Sequence, residues 1–404
     1  MEMEKDITVE RAVELLRAAV RPVGTERVPA REAHGRVPAE NVYAPIDQPP
    51  WPRSPLDGYA LRASDSAGAP VTLRVADTVY AGGVPSVSVG SGECVRIMTG
   101  AMIPDGCDCV IRQEDTDGGT ERVTLFKSLR PWDNYCFAGE DFKAGAVLVP
   151  AGTVLNAAAM GVLASAGMLR PGETLTVRRH VRCALICTGD ELAPNETRPL
   201  PPGKIYSSNA ALLASRLREL GIGLTGVQAA FGDDAAALAH EIRAAAREAD
   251  LVLTTGGVSV GAKDILHETL PLLGAERVFW RVELKPGSPV MFSLLDGVPV
   301  LSLSGNPFAA WATFELFARP LLAALAGTDA LLPLKCLGTL EMPFPKGGRA
   351  RRFVRGVFRD GRVALPEGHS SGQLASAVGT NCLAEIPANA GPLPAGSAVR
   401  VWLL

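Results

Sequence analysis

The sequence predicts a multi-domain protein in which an α/β domain is combined with β-rich segments. At 404 residues the chain is longer than one ordinary domain. From 181 onward, strand-like and helical patterns alternate, which predicts a doubly wound, mainly parallel sheet. Short β-like runs broken by Pro and Gly predict a β-rich insert over about 40–150 and a small C-terminal β domain beyond 330.

Local patterns define the elements in chain order. An amphipathic helix over 6–20 opens at Thr8 and has one apolar side, so we expect it to dock on another element. A short helix, NAAAMGVLASAG, follows the β-rich insert. The α/β series is then strand 181–187, helix 209–220, strand 224–230, helix 233–247, strand 251–255, helix 264–273, strand 298–303 and the long helix FAAWATFELFARPLLAALAG.

Composition and charge argue against several classes of function. The formal net charge of −3 and the pI near 6.0 argue against a general nucleic-acid or membrane-surface binder, and favour small-molecule chemistry. The eight cysteines include no CxxC pair, so we expect reduced, mostly buried thiols. The acidic N-terminus lacks the order of a signal peptide, and no run reaches membrane-spanning length, which predicts a cytoplasmic protein.

Three similar loops follow strands of the predicted sheet: CTGDEL, TTGGVSVGAKD and LSGNPFAA. Loops that follow different strands of an open α/β sheet converge on one crevice. Glycines together with carboxylates indicate a phosphate and a hard divalent cation, so Mg²⁺ would fit Asp190 or Glu191 with Asp264. Three capped helices without a ligand are the alternative. The candidate binding residues are Thr188, Gly189, Asp190, Gly256, Gly257, Ser259, Gly305, Asn306 and Pro307.

Two further stretches are candidates for the site. Arg281 and Lys285 lie four residues apart on an extended segment, so they would face the same way and could clamp an anion. A solvated strand face is the alternative. We expect Lys285 beside the crevice and Lys346 away from it. The proline-stiffened stretch PPWPRSPLDGYALRASD would hold Asp57 rigidly.

Eight ordered motifs resemble those of the molybdopterin molybdenumtransferases, the bacterial MoeA and gephyrin E-domain family. They are SPLDGYALRASD, RIMTGAMIPDGCDCVI, GEDFKAG, CTGDEL, GKIYSSN, TTGGVSVGAKD, LKPGSP and SGNPFAAWATFE. The resemblance implies molybdenum cofactor biosynthesis, in which molybdate is inserted into adenylylated molybdopterin with a divalent cation and release of AMP. It also implies a homodimer whose cleft combines domains of both subunits, with an adenylyltransferase as the partner that supplies the substrate.

The same resemblance implies four domains. The N-terminal helix at 1–26 would associate with the α/β molybdopterin-binding domain at 177–327. The others are a small linking domain at 27–45 and 146–176, a β-rich domain at 46–145 and a C-terminal β-barrel-like domain at 328–404.

Residue-by-residue matching of the motifs implies roles for individual side chains. The catalytic residues would be Asp57, Thr99, Asp141, Glu191, Asp233 and Lys285. Arg281, Arg355 and Ser371 would bind the substrate, and Glu191 with Asp264 would hold Mg²⁺ or another divalent cation.

Four positions depart from the family motifs. Cys136 stands where relatives usually have an arginine, and Ser288 where they have a lysine. Ser207 replaces an aspartate and Ser304 a proline. The loss of two positive groups would weaken anion binding. The alternatives are therefore a divergent cofactor-binding paralogue with weak or tungstate-directed insertion activity, and a gephyrin-like scaffold that binds a partner peptide.

Overall fold

A seven-stranded sheet organises the first of two units of the chain. The computed structural model describes residues 3–259, 265–368 and 370–404, with the backbone alone at Ala230. The first unit comprises Met1–Glu26 and Val177–Leu404. Its strands, in sheet order, are Glu4–Ile7, Glu276–Val282, Met291–Leu295, Val298–Leu303, Leu251–Thr255, Arg182–Thr188 and Gly223–Phe231.

The sheet is mainly parallel, as the alternation of strands and helices predicts. Only Met291–Leu295 runs antiparallel to its neighbours. Every residue of the interior strand Leu251–Thr255 is buried, because helices cover both faces. The helices of this unit are Val9–Ala18, Ser208–Glu219, Ala235–Ala246, Leu266–Leu273, Pro307–Thr313 and Arg319–Ala326.

The predicted N-terminal helix over 6–20 is wrong at its start. Residues Glu4–Ile7 form an edge strand that pairs in parallel with Glu276–Val282. Pairing with the sheet edge provides hydrogen-bond partners for the backbone of this segment. The helix begins at Val9, after Thr8, whose side chain accepts a hydrogen bond from the Arg11 N–H at 3.2 Å. The helix docks as expected, packing on Arg319–Ala326.

A long apolar helix runs over 307–326, with a π-helical turn at Phe314–Ala318 between its two α-helical parts. Among the described residues it is the one helix long and apolar enough to span a membrane, so the expectation that no run reaches that length is wrong. However, 89% of its most apolar stretch is buried inside the protein. Glu315, at 0% exposure, accepts hydrogen bonds from Arg216 at 2.7 Å, Arg319 at 3.0 Å and the Trp311 indole at 3.0 Å. These bonds satisfy a charge that could not otherwise be buried.

Five strands near the C-terminus close into a barrel, which confirms the predicted β-barrel-like domain. The barrel closes because Arg351–Arg359 pairs with Cys382–Ile386. A two-residue strand, Leu284–Lys285, adds to the edge of Arg351–Arg359. In sheet order the barrel strands are Arg351–Arg359, Arg362–Ala364, Lys335–Leu340, Ala398–Leu403 and Cys382–Ile386.

The second unit, Arg27–Thr176, contains the predicted β-rich insert. Strands Val42–Tyr43 and Val147–Val149 pair with each other, and a short helix occupies Ala157–Ser165. Its five-stranded sheet has the order Cys109–Arg112, Gly58–Leu61, Glu93–Ile97, Val71–Val79 and Arg122–Leu125. Strands Thr25–Pro29 and Thr174–Arg178 each contain a boundary between the two units, whereas Leu192–Ala193 and Ile205–Tyr206 belong to the first unit.

We expect Glu315→Ala to destabilise the protein by about 3–5 kcal/mol, because Arg319 would be left buried without its counter-charge. Glu219→Ala is the matched control. Glu219 also pairs with Arg216, but its side chain is 62% exposed, so its loss should cost less than about 1 kcal/mol. Urea unfolding followed by circular dichroism measures both, and equal shifts of the midpoint would contradict a dominant role for the buried carboxylate.

Candidate functional site

A cavity of about 800 Å³ opens in the first unit at the carboxyl ends of the parallel strands. Its wall is completed by the barrel segment 344–354, so the site lies where the α/β sheet meets the barrel. Such strand ends are the usual binding position in open α/β sheets. The residues predicted from the sequence that line it are Thr188, Gly189, Glu191, Asp233, Gly256, Gly257, Ser259, Lys285, Gly305, Asn306, Pro307 and Ser371.

Backbone contacts hold the three loops together. Gly256 has a φ of +92°, and a Cβ atom there would lie 2.3 Å from the carbonyl oxygen of Thr188. A Cβ at Gly305 would lie 3.4 Å from the Cα of Gly256. Glycine is therefore required at 256 both for its backbone conformation and for this close approach. The loops converge as the sequence predicts, and residues of all three line the cavity.

Glu191 is positioned by the glycine that precedes it by two residues. Gly189 has a φ of +148°, and a Cβ atom there would lie 2.4 Å from a carboxylate oxygen of Glu191. The Glu191 side chain therefore folds back over the Gly189 backbone. A residue with a side chain at 189 would displace this carboxylate from the cavity.

Asp190 links two loops rather than lining the cavity. Its backbone N–H donates to the Asp233 carboxylate at 3.3 Å, and the Asp233 N–H donates to the Asp190 carboxylate at 3.0 Å. Lys204 donates to the Asp190 carbonyl. This reciprocal bonding joins the loops after Arg182–Thr188 and Gly223–Phe231, and leaves Glu191 and Asp233 as the carboxylate residues that line the cavity among the described residues.

Asn209 lines the cavity, although sequence reasoning missed it as a site residue. Its amide donates to the Gly305 carbonyl at 2.8 Å, which ties the helix Ser208–Glu219 to the third loop. Ser207 caps this helix by accepting a hydrogen bond from the Ala210 N–H at 3.4 Å. The positive end of the helix dipole thus adjoins the cavity and favours an anion. The YSSN motif was the signal that could have identified Asn209.

The basic pair predicted from spacing does not act together in the structure. Lys285 lines the cavity, but Arg281 does not. Arg281 has a φ of +70°, which interrupts the alternation of an extended strand, and its guanidinium pairs with Asp6 at 3.0 Å. The expectation that the two face the same way is therefore wrong. Lys346 was expected away from the crevice, yet it lines the cavity, as does Arg352.

Arg355 lies behind the cavity wall rather than on it. It is fully buried, at 0% exposure, and stacks over the Phe308 ring with 4.2 Å between the guanidinium carbon and the ring centre. It donates to Ser376 Oγ at 2.9 Å and to the Gly368 carbonyl at 2.5 Å. Burial lowers the pKa of Arg355. Ser371, by contrast, lines the cavity, and its carbonyl accepts from the Phe308 N–H at 3.0 Å.

One of the two predicted metal ligands lines the cavity. Asp264 lies outside the described residues, whereas Glu191 lines the cavity. Within residues 3–259, 265–368 and 370–404, no group of three or more His, Cys, Asp or Glu side chains could hold a metal. A cation here would therefore require oxygen ligands beyond those that the described side chains supply.

Besides Ser207, two further serine departures line the cavity. Ser288 donates its hydroxyl to the Val282 carbonyl at 2.8 Å, so this group is engaged by the backbone. Ser304 stands at the end of Val298–Leu303. Neither serine brings a positive charge to the site.

The remaining predicted residues, Asp57, Thr99 and Asp141, lie in the second unit. Asp57 accepts two hydrogen bonds from Thr99, one from the backbone N–H and one from Oγ1, each at 2.7 Å. These bonds lower the pKa of Asp57 and keep it a carboxylate. The Asp141 N–H donates to the Gln48 carbonyl at 2.9 Å. Cys136 pairs with Arg53 through the backbone, and burial raises the pKa of its thiol.

Comparison with known proteins gives consistent matches along the chain. Three family models match in order: the MoeA N-terminal region (domain I and II) over 7–167, the probable molybdopterin binding domain over 184–324 and the MoeA C-terminal region (domain IV) over 338–404. A molybdopterin molybdenumtransferase of Staphylococcus epidermidis is 32% identical, with 100% of this chain and 97% of the relative covered. Molybdopterin molybdenumtransferase 2 of Mycobacterium tuberculosis is 34% identical, with 97% and 98% covered.

A solved structure extends the similarity to three dimensions. The molybdopterin biosynthesis MoeA protein of Pyrococcus horikoshii OT3 superposes with a TM-score of 0.86 at 28% sequence identity. The superposition covers 99% of this chain and 100% of that one.

We expect Thr99→Val to raise the pKa of Asp57, because the carboxylate would lose one of the two hydrogen bonds that stabilise its charged form. Carbon-13 NMR of the aspartate carboxyl carbons during a pH titration measures the shift. Asp77 serves as the internal control, since Ser86 and Thr78 lower its pKa and neither is altered. An unchanged Asp57 titration would show that the Thr99 hydroxyl does not stabilise the carboxylate.

Proposed function

Because this chain belongs to the MoeA family of molybdopterin molybdenumtransferases, we propose that it inserts molybdate into adenylylated molybdopterin with release of AMP. The chain is a transferase of molybdenum cofactor biosynthesis, and molybdopterin is the substrate of that pathway. The adenylylated form of the substrate, the release of AMP and the participation of a divalent cation are the parts that we propose.

The distribution of charge across the cavity is the observation that supports this proposal. Glu191 and Asp233 follow the two strands at one edge of the sheet. Lys285 comes after the strand Glu276–Val282. In sheet order this strand lies four positions from the strand that precedes Glu191 and five positions from the strand that precedes Asp233. The glycine loops after Leu251–Thr255 and Val298–Leu303 lie between these charged groups. An elongated ligand with phosphates in its middle and a further anion at one end suits this order.

Each part of the cavity then has a role in the proposed reaction. Backbone N–H groups at Gly257 and Gly305 would approach the pyrophosphate of the adenylylated substrate, because no side chain obstructs them. The Gly256 N–H is not available for this role, since it donates to the Leu303 carbonyl at 3.1 Å. The N-terminus of Ser208–Glu219 would add its positive dipole end. Lys285 would orient the anionic group at the other end of the cavity.

A divalent cation fits the residues present if the substrate supplies further oxygen ligands. Glu191 offers a carboxylate beside the glycine loops, and with Asp264 it would supply two oxygen ligands. Mg²⁺ commonly binds through one or two carboxylates together with substrate phosphates and water. Bound there, the cation would neutralise charge on the phosphate oxygens. We therefore propose that the cation binds tightly only when the adenylylated substrate is present.

The alternative of a weak or tungstate-directed paralogue also has a supporting observation. Ser288 lines the cavity and adds no charge, since its hydroxyl is engaged with the Val282 carbonyl. Such a paralogue would bind molybdopterin yet release AMP faster with tungstate than with molybdate. Measurement of AMP release with molybdate and with tungstate in turn separates the two functions.

We expect purified protein to release AMP from adenylylated molybdopterin when Mg²⁺ and molybdate are both present. Glu191→Gln should slow this release at least about tenfold, which corresponds to about 1.4 kcal/mol of lost stabilisation, and added Mg²⁺ should partly restore it. Glu196→Gln is the matched control, since Glu196 is an exposed carboxylate that lies beyond the strand Leu192–Ala193 and outside the cavity lining. Absence of AMP release by the unaltered protein would refute the proposed reaction.

We further propose a homodimer. Asp57, Thr99 and Asp141 belong to the second unit, and the resemblance implies that such residues reach the cavity of a partner subunit. We expect multi-angle light scattering at micromolar concentration to give twice the mass of the chain. A monomeric mass would rule out an active site built from two subunits.

A further inference from the structure

Three cationic side chains line one part of the cavity: Lys285, Lys346 and Arg352. Lys285 and Arg352 are direct partners in the parallel pairing of Leu284–Lys285 with Arg351–Arg359. Neighbouring strands lie about 4.8 Å apart, and partners in register point to the same side. Two positive side chains therefore stand next to each other at the point where the barrel joins the cavity.

Backbone pairing also fixes the segment that carries Lys346. The segment that carries Lys346 is fixed on either side, because Phe344 bridges to Leu393 and Gly348 bridges to Ala390. The guanidinium of Arg352 packs against this segment, since a Cβ atom at Gly348 would lie 3.3 Å from its Nη2. The main chains that carry these cations are thus held in place before any ligand binds.

Arg352 differs from its neighbour in having no counter-charge. Arg351 pairs with Glu10 at 2.5 Å and with Glu385 at 2.9 Å. Among the described residues, Arg352 makes no ion pair or side-chain hydrogen bond, and its Nε is buried without a partner. A partly buried guanidinium without an acceptor is unfavourable, and a bound anion would supply both the charge and the acceptor.

We propose that Arg352 binds a tetrahedral oxyanion in this cavity, together with Lys285 and Lys346, and sets the affinity of the site for that anion. The inference rests on the proposed function and adds a residue to it. A planar guanidinium can donate two parallel hydrogen bonds to an oxyanion, which an ammonium cannot do. The oxyanion is either free molybdate or a phosphate group of the adenylylated substrate.

The test compares Arg352→Gln with Arg359→Gln. Arg359 lies on the same strand, is exposed and is outside the cavity lining. Its substitution therefore removes the same charge from the protein without altering the cavity lining. AMP release is measured while molybdate is varied at saturating substrate, and then while substrate is varied at saturating molybdate. We expect Arg352→Gln to raise one half-saturating concentration about tenfold and to make it less sensitive to salt.

The two titrations identify the oxyanion. A rise confined to the molybdate titration assigns Arg352 to molybdate, and a rise confined to the substrate titration assigns it to a phosphate. Ser288→Lys introduced into the Arg352→Gln protein returns a positive charge to the same cavity and should recover part of the lost affinity. Identical values for Arg352→Gln and Arg359→Gln in both titrations would overturn the inference.

A direct measurement separates this inference from the proposed reaction. Equilibrium dialysis of molybdate, and separately of inorganic pyrophosphate, against the three proteins requires no turnover. If the unaltered protein releases no AMP, the proposed reaction fails. Weaker retention of either anion by Arg352→Gln alone would still support the inference, and equal retention by all three proteins would overturn it. Circular dichroism spectra verify that both variants are folded.

Discussion

The site depends on the close approach of the Gly256 backbone to the carbonyl of Thr188. This contact brings together the loops after two neighbouring strands, and Gly305 lies against the same glycine from a third. Any side chain at 256 would overlap the Thr188 carbonyl, so the loops would have to separate. Asn209 joins the third of these loops through its hydrogen bond to the Gly305 carbonyl, and residues of all three loops line the cavity.

The sequence predicts those parts of the fold and site that local patterns encode. Alternating strands and helices identify the parallel sheet, and the loops at its strand ends converge because parallel strands share an edge. The N-terminal strand could not be predicted, because Glu4–Ile7 has no apolar run and gains its structure by pairing with Glu276–Val282. The left-handed conformation of Arg281 likewise has no local signal in a segment that otherwise favours an extended strand.

Lys346 and Arg352 are site residues that the sequence could not predict. Both reach the cavity because barrel closure pairs segments that are distant in the chain. Their spacing relative to Lys285 in the sequence contains no period that would relate the three. Contacts of this kind are set by the whole topology, which is why a basic residue expected away from the crevice lies beside it.

Ion pairs with buried or partly buried partners identify the charged residues that stabilise the fold. Glu315 binds Arg216 and Arg319 in the interior, and Arg351 bridges Glu10 and Glu385.

The serines that depart from the family motifs also differ in whether they affect the fold or the charge of the cavity. Ser207 still caps its helix, a task that aspartate and serine perform about equally well. Ser288 cannot replace the charge of a lysine, because a neutral hydroxyl already engaged with a carbonyl leaves the local potential unchanged. The positive potential at this end of the cavity must therefore come from Lys285, Lys346 and Arg352, among the described side chains that line it. Two of those three cations belong to the barrel, so the positive potential of the cavity depends on the barrel as well as on the sheet that carries the glycine loops.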